Sequence, residues 1–116
     1  MVLPTAIPAP GGSGKTITVV VELDSWVTAL AEGPGTGALE FSLQLPLDTP
    51  VRGALKVLSA RFPKLDQALW NEEQRQEMGS HLEVIVNNAI LGVTHELESP
   101  LREGDRIILA GQYIGG

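Results

Sequence analysis

The residues best placed to do chemistry stand at the end of the chain. Leu101 to Gly116 reads LREGDRIILAGQYIGG, so the chain is expected to close on Gly115-Gly116 with a free carboxylate on Gly116. No side chain crowds that carboxylate. Such an end is slim enough to enter a channel that any Cβ would block. The chemistry it offers is that of an acid group carried into another protein's site.

Two further patterns compete for attention. Ala9 to Thr16, APGGSGKT, fits a relaxed phosphate-loop pattern with Ala9 where the first glycine usually stands. A working phosphate loop follows a strand and opens a helix, whose N-terminal N–H groups hold the phosphates. Here a proline-rich arm precedes the loop, and TITVVVEL, a strand pattern, follows it. Lys15 and its neighbours are therefore expected to bind no nucleotide. The two histidines, His81 and His95, stand fourteen positions apart with no cysteine to join them. They are expected to be ordinary surface or strand-edge residues and not metal ligands.

Composition narrows the field. The chain has 116 residues, 43% of them hydrophobic, enough for one domain with a real core. With no cysteine there is no disulfide framework, thiolate site or cysteine nucleophile, which fits a cytoplasmic protein. The net charge of −6 disfavours nucleic acid and suits a protein partner with a basic surface. No apolar run reaches membrane-spanning length, and no basic residue precedes the first apolar stretch, so neither a membrane span nor a signal peptide is expected. No nucleophile–base pair or paired acids can be read, so the chain is not expected to be an enzyme by itself.

The rest of the chain must position its end. Residues 1–15, with three of the eight prolines and three of the thirteen glycines, read as a flexible arm with room for an edge strand at 3–7. Residues 16–116 read as the domain. In 16–23, Ile17, Val19, Val21 and Leu23 alternate with Thr18, Val20 and Glu22. Asp24 and Ser25 can cap a short helix holding Trp26, Val27 and Leu30. Residues 39–45 alternate again, so the two strands read as an antiparallel pair. Thr49 is an N-cap candidate and Pro50 suits the first helical position of a helix within 49–62, where Val51, Leu55, Leu58 and Phe62 share one face and Pro63 ends it. Leu65 to Trp70 reads as one further turn, and residues 71–80 as a polar loop or frayed helix. Residues 82–87 form a strand, Asn87-Asn88 a turn, 89–97 a looser extended stretch, and 106–110 a last, central strand after the Glu103-Gly104-Asp105 turn. The order is β-β-α-β-(β)-β: an α+β fold, a mixed sheet with one main helix across one face, which is the β-grasp or ubiquitin-like arrangement.

Three stretches then carry a family resemblance. TPVRGALKVLSARFPKLD at 49–66, VIVN at 84–87 followed by an Asn turn, and SPLREGD at 99–105 running into RIILAGQYIGG together resemble the MoaD/ThiS-like sulfur-carrier family. That family includes the small subunit of molybdopterin synthase and the thiamin-pathway carrier. The resemblance implies that an E1-like adenylating enzyme uses ATP to activate the Gly116 carboxylate, which becomes a thiocarboxylate and delivers sulfur to a synthase large subunit or equivalent. It implies no cofactor bound by the isolated chain. Gly116 would be the carrier residue and Gly115 would give clearance. Gly111, Gln112, Tyr113 and Ile114 would line the tail's path through the partner channel, and Val20 and Ile85 on the sheet's solvent side would dock the partner. Many members have a proline-rich step and a small residue before the glycine pair, where this chain has Gly111-Gln112, Tyr113 and Ile114. Molybdopterin synthesis is the expected recipient. The alternatives are sulfur for cysteine, thiamin, tungsten cofactor or tRNA thiolation, a ubiquitin-like modifier joined through Gly116 to lysines, and an interaction domain with an inert tail.

Overall fold

The computed structural model describes residues 5–7, 15–70 and 82–111. The tail beyond Gly111, the polar stretch 71–80, His81 and the glycine run at 11–14 lie outside the described residues. The elements in order are β1 (Thr5–Ile7), β2 (Thr16–Asp24), a 3₁₀ helix (Ser25–Ala31), β3 (Ala38–Pro46), α1 (Val51–Ser59), α2 (Pro63–Leu69), β4 (Leu82–Val86), β5 (Ala89–Ile90) and β6 (Arg106–Gly111). They build one six-stranded mixed sheet in the order β1-β3-β2-β6-β4-β5.

Alternation decides which face of that sheet is buried. Ile17, Val19, Val21 and Leu23 of β2 are buried, as are Phe41, Leu43 and Leu45 of β3 and Leu82, Val84 and Val86 of β4. β2 and β3 pair antiparallel along their whole length, Val19 opposite Leu43 and Val21 opposite Phe41. β6 lies at the centre, parallel to β2 and antiparallel to β4, with Ile107 and Leu109 fully buried. A strand paired on both sides and buried on one face needs β-branched and apolar residues, which RIILA supplies. Within the N-terminal arm, β1 pairs parallel with β3, Thr5 opposite Phe41 and Ile7 opposite Leu43.

The helical layer follows the sequence expectation in outline. α1 lies within 49–62 and ends short of Pro63, and Pro63, with its φ already set for a first helical turn, opens a second helix, α2, where the sequence predicts one further turn. Two details differ. Thr49 is not the N-cap. Pro50 occupies that position, and the Thr49 hydroxyl donates instead to the Pro46 carbonyl at 2.6 Å. The first free N–H groups of α1 are met by another loop, Val51 N–H by Ser99 O (3.0 Å) and Arg52 N–H by Leu97 O (2.8 Å). A tertiary backbone contact thus does what a capping side chain would do. Residues 89–97 hold only a two-residue strand before the chain turns at 91–93, so the longer extended stretch is not formed. Phe62 is half-buried, its ring 5.5 Å from that of Phe41.

The turns match their residues. Asn87 and Asn88 both adopt positive φ, 48° and 71°, as a two-residue hairpin turn demands. Gly104 sits at φ 83° in the turn before β6. β2 begins directly after Lys15, so no helix follows the phosphate-loop look-alike. Among the described residues, no helix is long and apolar enough to cross a membrane.

Candidate functional site at the root of the C-terminal tail

The end of β6 is where the fold hands over to the sequence Gln112–Gly116, so its position depends on what holds β6 in register. The strand's start is pinned by a turn tied to both neighbours. Gly104 N–H donates to Thr18 O (2.8 Å), Thr18 N–H to Glu103 Oε1 (3.0 Å), and Val20 N–H to Asp105 O (3.0 Å). On the other side the Asn87 side chain joins the hairpin turn to the same corner. Its Nδ2 donates to Asp105 Oδ1 (2.9 Å), and its Oδ1 accepts from Arg106 N–H (3.0 Å). Register is fixed at this end, and the ladder carries it to the other: Leu109 lies opposite Val84, and Gly111 opposite Leu82.

Gly111 is the one predicted tail residue among those described, and it is the last rung of the sheet. Ile107 and Leu109 point into the core, so period two aims position 111 the same way. The indole of Trp26, from the 3₁₀ helix, occupies that space. A Cβ on Gly111 would overlap the ring's Nε1 and Cε2 outright and lie 2.8 Å from Cζ2. The 3₁₀ helix is itself clamped. The fully buried Thr28 donates through Oγ1 to Ser25 O (2.9 Å) and accepts from Gly35 N–H (2.8 Å), while Ser25 N–H reaches Gly37 O (2.8 Å).

The solvent face of the sheet carries charge on one side and apolar residues on the other. Arg106 bridges two carboxylates, Glu22 of β2 and Glu40 of β3, through one guanidinium nitrogen. Those carboxylates hold the guanidinium pKa above its usual value, Glu40 contributing first. Asp24 stands two residues along from Glu22. Hydrogen bonding to Glu22, with burial and the Glu22 charge, pushes the Asp24 pKa up to about 6 against the pull of Arg106. Glu22 is held below its ordinary value, first by Asp24 and then by Arg106. Next to the charges runs an apolar row across three strands: Ile108 opposite Ile85, and Ile85 opposite Ile90, which is 54% exposed.

The two docking residues read from sequence are both on this face but not in one row. Val20 lies opposite Arg106, whereas Ile85 lies between Ile108 and Ile90. Sequence reading passed over Ile108 and Ile90. Ile108 was within reach, because alternation with the buried Ile107 and Leu109 turns it outward. Trp26 carried no such signal, since its contact with Gly111 joins positions far apart in the chain. His95 is beside Thr94, its Nδ1 3.1 Å from the Thr94 hydroxyl.

No family model and no curated protein sequence matches the chain. Solved structures do. The chain is similar to the small archaeal modifier protein 1 from Methanosarcina acetivorans, with a TM-score of 0.67 at 20% identity over 89% of this chain and 100% of that one. It is similar to the corresponding protein from Haloferax volcanii, with a TM-score of 0.63 at 22% identity over 85% and 99%. Urm1 from Trypanosoma brucei gives a TM-score of 0.64 at 18% identity over 90% and 100%. At these identities the likeness concerns the fold, and the fold is the ubiquitin-like β-grasp.

Proposed function

We propose that this chain is a ubiquitin-like sulfur carrier that works through the carboxylate of Gly116. The observation that carries the reading is the junction at Gly111: the central strand of a β-grasp sheet leads straight into Gln112-Tyr113-Ile114-Gly115-Gly116. A carboxylate is a poor electrophile at neutral pH. An E1-like adenylating enzyme solves this by letting the carboxylate attack the α-phosphorus of ATP. Pyrophosphate leaves, and the acyl adenylate then exchanges AMP for a sulfur nucleophile. The carrier supplies no acid or base for these steps. It supplies a thin acyl end and a surface that holds the enzyme while the end reaches in. The row Ile108–Ile85–Ile90, beside the acidic residues Glu22 and Glu40, suits an apolar protein contact with a basic rim. A sulfur-accepting synthase large subunit is the second partner. Assignment of that synthase to molybdopterin rests on the sequence resemblance alone.

A second reading has its own support. Two of the similar structures are named modifier proteins. The same activated Gly116 can acylate a lysine amine and leave an isopeptide bond.

The intact mass of the protein purified from its own cells separates the two. A C-terminal peptide heavier by about 16 Da, sulfur in place of oxygen, identifies the carrier; the same peptide on a target lysine identifies the modifier. Removal of Gly115-Gly116 is expected to abolish ATP–pyrophosphate exchange by the adenylating enzyme and to leave the melting temperature nearly unchanged. Persistent exchange by the truncated protein would remove Gly116 from the reaction and leave an interaction domain.

A further inference from the structure

We propose that Trp26 is the positioning residue of the C-terminal tail, fixing the place and direction in which the chain leaves the fold at Gly111. The inference rests on the carrier reading above and adds a residue to it.

The argument begins with an exchange of roles. Position 111 aims at the core, where Ile107 and Leu109 each contribute a buried side chain. It has none to contribute, and the Trp26 ring fills the space so closely that glycine alone fits. A glycine at the end of a strand would otherwise be the loosest point of the ladder. Here it is held from the side by Leu82 and from the core face by the indole. The 3₁₀ helix that carries the ring is in turn clamped through buried Thr28 to Ser25 and Gly35. Trp26 is only half-buried, so it stands at the margin of the core.

The root matters because of reach. Five residues separate Gly111 from the reacting carbon, a reach of about 17 Å when the chain is drawn out. A root displaced from its place on the sheet takes its displacement directly out of that reach, and misplacement by about 1 Å can cost on the order of 100-fold in rate. A ring that merely filled space would affect stability alone. A ring that sets the exit affects the rate of the step at Gly116, while docking by the outer sheet face is untouched.

The test is ATP–pyrophosphate exchange with the purified adenylating enzyme of the same organism, varying carrier concentration. Wild type, Trp26→Phe and Trp26→Ala are compared at a temperature where circular dichroism shows each folded. Trp26→Ala is expected to lower kcat about 10- to 100-fold with little change in KM for the carrier, and Trp26→Phe to recover part of the loss. Gly111→Ala, which pushes the ring aside, should give the same kcat loss and keeps the question open to measurement if Trp26→Ala does not fold. Unchanged kcat in a folded variant would make the ring a space filler. A rise in KM alone would make Trp26 a docking contact, and either result overturns the proposal while the carrier reading stands. Absence of exchange with wild type would overturn the carrier reading itself, and the role of Trp26 with it.

Discussion

The two tryptophans close the same core in different ways. Trp70, at the end of α2, is 6% exposed, and its Nε1 donates to Ser59 Oγ at 3.2 Å. Arg52 and Lys56 of α1 sit over its ring, 5.8 and 5.5 Å from the centroid. Its polar atom and its π face are both satisfied by α1, so it ties one helix to the other. Trp26 is half-buried and lies against a backbone, that of Gly111, at the strand end from which the tail departs. A ring whose every partner is internal serves the fold. A ring that stands in for a missing side chain at a strand end serves what comes next in the chain.

Truncation tests that contrast most directly. Trp70→Ala is expected to cost about 3–5 kcal/mol in chemical denaturation, since it leaves a cavity beneath α1. Trp26→Ala, removing a half-buried ring, should cost about 1–2 kcal/mol. Equal losses would show that both rings are core and erase the distinction. Leu58→Ala, at a fully buried site of α1, belongs with the larger class at about 2–5 kcal/mol and calibrates it.

A finer cut isolates the Trp70 N–H. Ser59→Ala leaves that buried donor without its acceptor and should cost about 1–3 kcal/mol. Trp70→Phe in the same background removes the orphaned donor, so the two changes should be less than additive in a double-mutant cycle. Additive losses would mean that the 3.2 Å contact contributes nothing.

The smallest expected effect is on the outer face, and its sign is definite. Asp24 has its folded pKa raised from 3.8 to about 6. Between those values the folded protein holds more of that proton than the unfolded chain does. The stability it contributes is therefore full below the lower value and is lost as pH rises through about 6. Glu22, held low, acts in the opposite sense, and its contribution is lost as pH falls below its ordinary 4.5. Asp24→Asn keeps a donor for Glu22 without the titration. The melting temperature of the variant minus that of wild type should then rise between about pH 4.5 and 7.5. A difference that falls with rising pH would show that the raised pKa does not belong to Asp24.

Most strand and turn identities were legible along the chain because they depend on local spacing. The alternation in residues 16–23 and 39–45 can bury one face only if the two stretches are strands, and Asn87-Asn88 tolerates the positive φ that a tight hairpin requires. The helix cap was not legible. Thr49 has the right residue type in the right place, yet the groups that meet the α1 N-terminus, the carbonyls of Ser99 and Leu97, arrive from the far side of β5. The candidate site divides the same way. That position 111 must be glycine cannot be inferred from its neighbours, since the atoms that exclude a Cβ belong to Trp26.

Sequence alone determined the α+β class, the pairing of β2 with β3 and the apolar face of each long strand. These follow from periodicity and residue size, which act over a few positions and need no partner to be known. Only the tertiary structure decided that the carbonyls of Ser99 and Leu97 meet the N-terminus of α1, that Ile108, Ile85 and Ile90 form one row, that Glu22 and Glu40 share Arg106, and that Trp26 stands over Gly111. Each of those depends on which distant residues the sheet order brings side by side, and the order is settled by how the whole apolar surface packs, not by any one segment of it.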